Sequence, residues 1–279
     1  MAKEGKQPNP WWVAVINGMA SYIDSCTIIT SGVALVIYQQ TYGLTDIQFG
    51  ALSAALTFCI AIGSICGGRL GDLLKKPYVV PFVALMIFYI GTNVPANSLG
   101  QFSTWIGSNV VELPISMVST IGLIVYPIRT ILDFVFMHFV DTPKRMPLFY
   151  MGAILYTAGF LMFPVFGASA VTYALTQLLY CIGAAFAFEG ILKVWMQECF
   201  PTLLRTTANG TIVFVSRFSC AVVGFFTASF ITTFGYQIAF WVLAAMCAIG
   251  FAAAIWAFHG KRYNTFETEA ESEEMPAEA

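Results

Sequence analysis

The sequence predicts an all-α fold, a polytopic membrane helix bundle with eight transmembrane helices, and three observations lead there. Hydrophobic residues make up 58% of the 279 and charged residues only 10%, whereas about a quarter of a soluble domain is charged. The apolar residues fall into eight runs, each close to or above the roughly 20 residues that cross the hydrocarbon. Lysine and arginine gather at the turns on one side, which selects a single topology.

The first run, about 11 to 38, is too long for the apolar region of a signal peptide, contains Asn17 and Asp24, and shows no small-residue cleavage site, so it reads as a retained span. The second, 47 to 66, leads into Gly63, Gly67 and Gly71, a small residue every four that lets another helix approach closely. The third, 78 to 106, holds Pro95; the fourth, 113 to 137, follows Pro114 and holds Pro127; the fifth, 147 to 166, holds Pro164. Prolines are tolerated in spans because bundle neighbours satisfy the freed carbonyls. Runs at 170 to 193, 207 to 231 and 236 to 258 complete the set. Residues 263 to 279 carry six glutamates and almost no apolar bulk, the composition of a disordered, solvated tail.

Lys3, Lys6, Arg69, Lys75, Lys76, Lys144, Arg145, Lys193, Arg205, Lys261 and Arg262 all fall on one side of this topology. The opposite turns, near 39 to 46, 107 to 112, 167 to 169 and 232 to 235, hold no Lys or Arg. Both termini are therefore expected in the cytoplasm of a multi-pass cell (inner or plasma) membrane protein. The seven cysteines lie within or at the ends of spans without metal-ligand spacing and read as packing residues. His138 and His259, both at cytoplasmic ends, complete no catalytic constellation, and there is no Walker loop. The expectation is a protein that is not an enzyme, takes no cofactor or metal and binds no nucleic acid.

Ionisable groups inside spans cost at least ~2.5 kcal/mol each on insertion scales and need a partner, a bundle interior or water. Arg129 and Asp133, and likewise Glu189 and Lys193, are spaced to pair along one helix face. Asp24 has no such neighbour. With Asn17, Ser21 and Ser31 it forms a polar stripe. Asn93, Asn97 and Gln101 form a second stripe and Tyr173, Gln177 and Tyr180 a third. Three helices with polar faces predict a central hydrophilic cavity, against the simpler alternative of interhelical hydrogen bonds.

Three motifs carry a resemblance to a known family. Gly68, Leu70, Gly71 and Asp72, with Lys75 and Lys76 following, resemble the loop between helices two and three of the major facilitator superfamily. Glu198-Cys199-Phe200-Pro201-Thr202, with Arg205, Thr207, Ala208 and Gly210, is similar to the E-x-F-P-T-x-x-R-x-T-A-x-G pattern between that family's tenth and eleventh helices in the sugar and metabolite porters. Residues 22 to 32, YIDSCTIITSG, look like the first helix of its proton-coupled sugar and polyol porters. The resemblance implies secondary transport of a small polar metabolite (sugar, polyol or organic acid) by proton symport, with Asp24 as the coupling carboxylate. It implies Asn17, Ser21, Asn93, Asn97, Gln101, Gln177 and Tyr180 as solute ligands. Gly68, Gly71, Asp72, Asp141, Arg145, Glu198 and Arg205 would form the cytoplasmic gate.

The family has twelve helices in two halves. Here Phe139-Val140-Asp141 with Lys144 and Arg145, which resembles the second copy of the gating loop, follows the first copy by two helices instead of six. The chain therefore reads as an incomplete major facilitator fold lacking the family's helices three to six, joined within residues 73 to 77. Its expected parts are an N-terminal remnant (1–74), a C-terminal six-helix half (75–262) and the acidic tail (263–279). The partners implied are the lipid bilayer, a small solute and a proton, and a second copy or a full-length relative to cover faces left bare. Two other readings stand beside transport: a non-transporting remnant, sensor or interaction protein, and a mis-assembled coding sequence.

Overall fold

The structure, a computed structural model, describes Met19 and residues 30–64 and 78–259. Asn17, Ser21, Asp24, Gly68, Gly71, Asp72, the 73–77 join and the 263–279 tail lie outside the described residues. All regular structure among the described residues is helical.

Helix α1 occupies residues 30–42 and ends at Gly43, whose φ of +65° lets the chain reverse. Helix α2, Asp46–Ser64, begins with a reciprocal cap. The Thr45 amide donates to Gln48 Oε1 at 3.0 Å and the Gln48 amide to Thr45 Oγ1 at 3.4 Å, which satisfies two orphan donors of the first turn. Gln39 Nε2 donates to Asp46 Oδ1 at 3.2 Å across the hairpin.

Helix α3, Val79–Asn109, is longer than the bilayer core requires and carries Pro95 in its buried middle. Helix α4, Ile115–Phe139, starts after Pro114, α5 spans Arg145–Phe166, and Gly167 at φ +78° turns the chain toward α6, Ala170–Ala187. Ser169 caps α6 by accepting the Thr172 amide at 3.1 Å. Helix α7, Glu189–Cys199, continues α6 after a break at Phe188; α8 spans Thr202–Phe234 and α9 Tyr236–Phe258.

Among the described residues, six stretches are long and apolar enough to cross a membrane: Val79–Asn109, Ile115–Phe139, Arg145–Phe166, Ala170–Cys199, Leu204–Phe234 and Tyr236–Phe258. With connections this short, the chain is a multi-pass helical membrane bundle. The expected count of eight also includes a first span that lies mostly outside the described residues and the span at 47 to 66, whose helix α2 is not one of these six.

The expected span at 170 to 193 is present within Ala170–Cys199, and it is interrupted where Phe188 leaves the helix at φ −125°, ψ −114°. Its ring stacks on Tyr89 of α3, with centroids 6.0 Å apart, and no proline announces the break. Glu189 then opens a new helix, where the partial positive charge of the N-terminus favours a carboxylate.

The largest interfaces pair α5 with α6 and α2 with α8, followed by α3 with α9 and α8. Two glycines set how closely the N-terminal pair docks. A Cβ on Gly50 would collide with the Phe225 carbonyl of α8, and one on Gly32 with the Gln101 carbonyl of α3, so backbone meets backbone at both positions. An aromatic cluster of Phe88, Phe149, Trp195 and Phe251 joins α3, α5, α7 and α9, and Trp195 stacks on Phe258 at 4.3 Å and 7°. Helix α4 is the least covered span, with Leu123, Ile124, Ile131, Phe134 and Met137 all exposed.

Candidate functional site

Four residues apart along α3, Asn93, Asn97 and Gln101 fall on one helix face, and all three are buried. That face turns toward the N-terminal pair and α8. The Gln101 amide joins α3 to α2 at both ends: its Oε1 accepts from Ser53 Oγ at 2.6 Å and its Nε2 donates to Thr57 Oγ1 at 2.8 Å. Ser53 and Thr57 are themselves one turn apart, so a single planar amide matches two successive hydroxyls of α2. Asn93 Nδ2 donates to Ser216 Oγ of α8 at 2.8 Å, and Asn97 Nδ2 donates to Asn93 Oδ1 at 2.9 Å.

The third polar stripe packs on the other side of α3. Tyr173 of α6 donates its hydroxyl to the Ser103 carbonyl at 3.1 Å and accepts from Gln177 Nε2 at 3.2 Å. Tyr180 is buried against Tyr156 of α5, with ring centroids 5.3 Å apart, and Tyr156 donates to the Thr92 carbonyl of α3 at 2.6 Å. Asn93, Asn97, Gln101, Gln177 and Tyr180 are thus assembled on both flanks of α3. Asn97 Oδ1, Trp105 Nε1 and Thr176 Oγ1 are buried polar atoms with no hydrogen-bond partner among the described residues. Buried polar groups normally find one, so these are the atoms of the seam open to a water or a solute hydroxyl.

Ser53, Thr57 and Ser216 were missed by sequence reading. For Ser53 and Thr57 the signal was their spacing with Gly50 on one face of α2, small and polar residues where a lipid-facing helix would be bulky and apolar; Ser216 of α8 carried no such signal.

Three of the expected gate residues meet at one end of the bundle. Arg145, opening α5, donates Nη1 to Glu198 Oε1 at 2.5 Å and Nη2 to Oε2 at 3.2 Å, a bidentate pair that ties α5 to the end of α7. Arg205 of α8 donates to the carbonyls of Phe200 and Gln197, capping the end of α7. Asp141 lies exposed in the turn after α4 and joins no ion pair among the described residues.

The expected pairing of Arg129 with Asp133 is present, with Nε and Oδ2 3.9 Å apart. The expected pairing of Glu189 with Lys193 is not, and this is a correction: among the described residues they form no ion pair. Both stand on α7, Glu189 in its first turn, where the adjacent Gly190 lies against Phe136 of α4, and Lys193 on an exposed face.

No protein-family model matches the chain. Over 168 residues the chain is 28% identical to the minor myo-inositol transporter IolF of Bacillus subtilis (strain 168). The match covers 59% of this chain and 37% of that relative, so the chain corresponds to well under half of the relative's length.

Proposed function

We propose that the chain is a transmembrane secondary transporter of the major facilitator type, moving a small hydroxylated solute, a polyol or sugar, by proton symport. The observation that carries this reading is the buried polar seam on α3 in a chain similar to a myo-inositol transporter. Amides and tyrosines offer both donors and acceptors, as a polyol needs. Asn97 Oδ1 and Thr176 Oγ1 are the atoms with capacity to spare.

In this reading the α2–α3–α8 seam is the contact between what remains of the N-terminal half and the C-terminal half, and rocking across it would open Asn93, Asn97, Gln101, Gln177 and Tyr180 to solute. Arg145, Glu198 and Arg205 hold the cytoplasmic end, with both termini on that side. Asp24 is the coupling carboxylate carried over from the resemblance. If Asp24 has this role, Asp24→Asn abolishes the dependence of uptake on a proton gradient; uptake that stays gradient-driven removes the assignment.

One observation favours the second reading, a non-transporting remnant or interaction protein. Gln101 and Asn93 already spend their amides on other helices, and α4 leaves much of its surface uncovered. Saturable uptake of labelled myo-inositol by the purified chain in proteoliposomes decides for transport; its absence in monodisperse, fully helical protein decides for the second reading.

A further inference from the structure

A carboxylate in the membrane needs water or a partner, and the one ion-pair partner of Asp133 among the described residues is held loosely. Asp133 stands in the last two turns of α4 with its side chain 49% exposed, and Arg129, one turn earlier, is 26% exposed. Their contact is a single approach of Nε to Oδ2 at 3.9 Å, not the two-point fork that makes an arginine–carboxylate pair strong. The guanidinium lies 5.9 Å over the Phe188 ring at the break between α6 and α7 and neighbours the Tyr180 hydroxyl. From α7, Glu189 and Lys193 act on Asp133; from α6, Cys181 does; α3 presents the Tyr89 ring to Phe188.

Arg129 therefore lies between Asp133 on its own helix and the helix break that carries Glu189, whose chain neighbours Phe188 and Gly190 lie against Arg129 and Phe136 of α4. We propose that Asp133 is a proton-binding carboxylate whose protonation switches Arg129. Ionised, Asp133 holds the guanidinium along α4. Protonated as the pH falls, it loses its charge and releases Arg129 toward Glu189, drawing α4 onto the start of α7. Loss of the proton as the pH rises restores the first arrangement. The cation–π contact with Phe188 keeps the arginine at the break in both states. This deepens the transporter reading and rests on it for the use made of the proton, not for the site itself.

The test is infrared difference spectroscopy of the full chain in proteoliposomes as pH is lowered, with myo-inositol uptake followed on the same vesicles. A carboxylic-acid carbonyl band is expected to grow in, to be lost in Asp133→Asn and to persist in Asp24→Asn. Removing the neighbouring cation destabilises the ionised form, so Arg129→Gln raises the midpoint by about one pH unit or more, while Arg129→Lys leaves it near the unaltered value. A band unchanged in Asp133→Asn, or a midpoint that stays put in Arg129→Gln, overturns the proposal. The expected band behaviour without uptake supports the proton site and overturns the transporter reading instead. Asp133→Asn preserves shape and helix contacts, and an unaltered circular dichroism spectrum is its control for folding.

Discussion

Gln101 accepts a hydrogen bond from Ser53 at 2.6 Å, and this contact bridges α2 and α3, forty-eight residues apart in the chain. With Thr57 on the other end of the same amide, the N-terminal helices are fastened to α3 by chemistry as well as by shape.

Gln101→Leu removes both bonds and leaves two buried hydroxyls of α2 unsatisfied. Interhelical hydrogen bonds in membranes average about 0.6 kcal/mol, so the loss is about 1 kcal/mol. Thermal unfolding in detergent checks it: a lowered midpoint is expected, and Ser53→Ala in the Gln101→Leu background adds little because the pair is coupled.

Gly50→Leu forces a side chain into the Phe225 carbonyl of α8. Backbone cannot yield as a flexible side chain can, so the cost is about 2 kcal/mol or more. A cysteine introduced at Ser53 and another on α8 report the separation as a lost crosslink, whereas Gly43→Asn, in a turn with open space around it, leaves the crosslink intact.

The Arg145–Glu198 pair is bidentate yet partly exposed, at 16% and 27%. Solvent screening limits its worth, so a double-mutant cycle with Arg145→Gln and Glu198→Gln is expected to show coupling of about 1 kcal/mol or less, diminishing with added salt. Because the pair ties α5 to the end of α7, the single variants are also expected to increase proteolytic cleavage at that end of the bundle.

Thr176→Val removes a buried hydroxyl that has no partner among the described residues, at nearly constant volume. Loss of an unsatisfied polar group is neutral or stabilising. Unfolding without solute should therefore occur at the same temperature or higher, while the stabilisation conferred by myo-inositol falls. A destabilised apo protein would show that the hydroxyl has a structural role.

The spans were legible because hydropathy acts locally: the run at 236 to 258 is the extent of α9, and the ends of α3 to α5 shift by no more than three residues. The α3 stripe was legible too, since Asn93, Asn97 and Gln101 stand four apart on one helix face. Their partners were not. Ser53, Thr57 and Ser216 are small polar residues common in any span, and only packing reveals that their hydroxyls meet an amide. The break at Phe188 is not legible because no proline marks it and what the ring meets, Tyr89 of α3 and Arg129 of α4, is far away in sequence. Spacing puts Glu189 and Lys193 within reach of each other on α7 but does not fix where their side chains turn.

The most direct test of transport is uptake of labelled myo-inositol into proteoliposomes made with the purified full chain, with and without a pH gradient across the membrane. Saturable uptake above that of empty vesicles, driven by the gradient and reduced in Thr176→Val, is the expected result. Uptake no greater than that of empty vesicles, from protein that is monodisperse and fully helical, would contradict it.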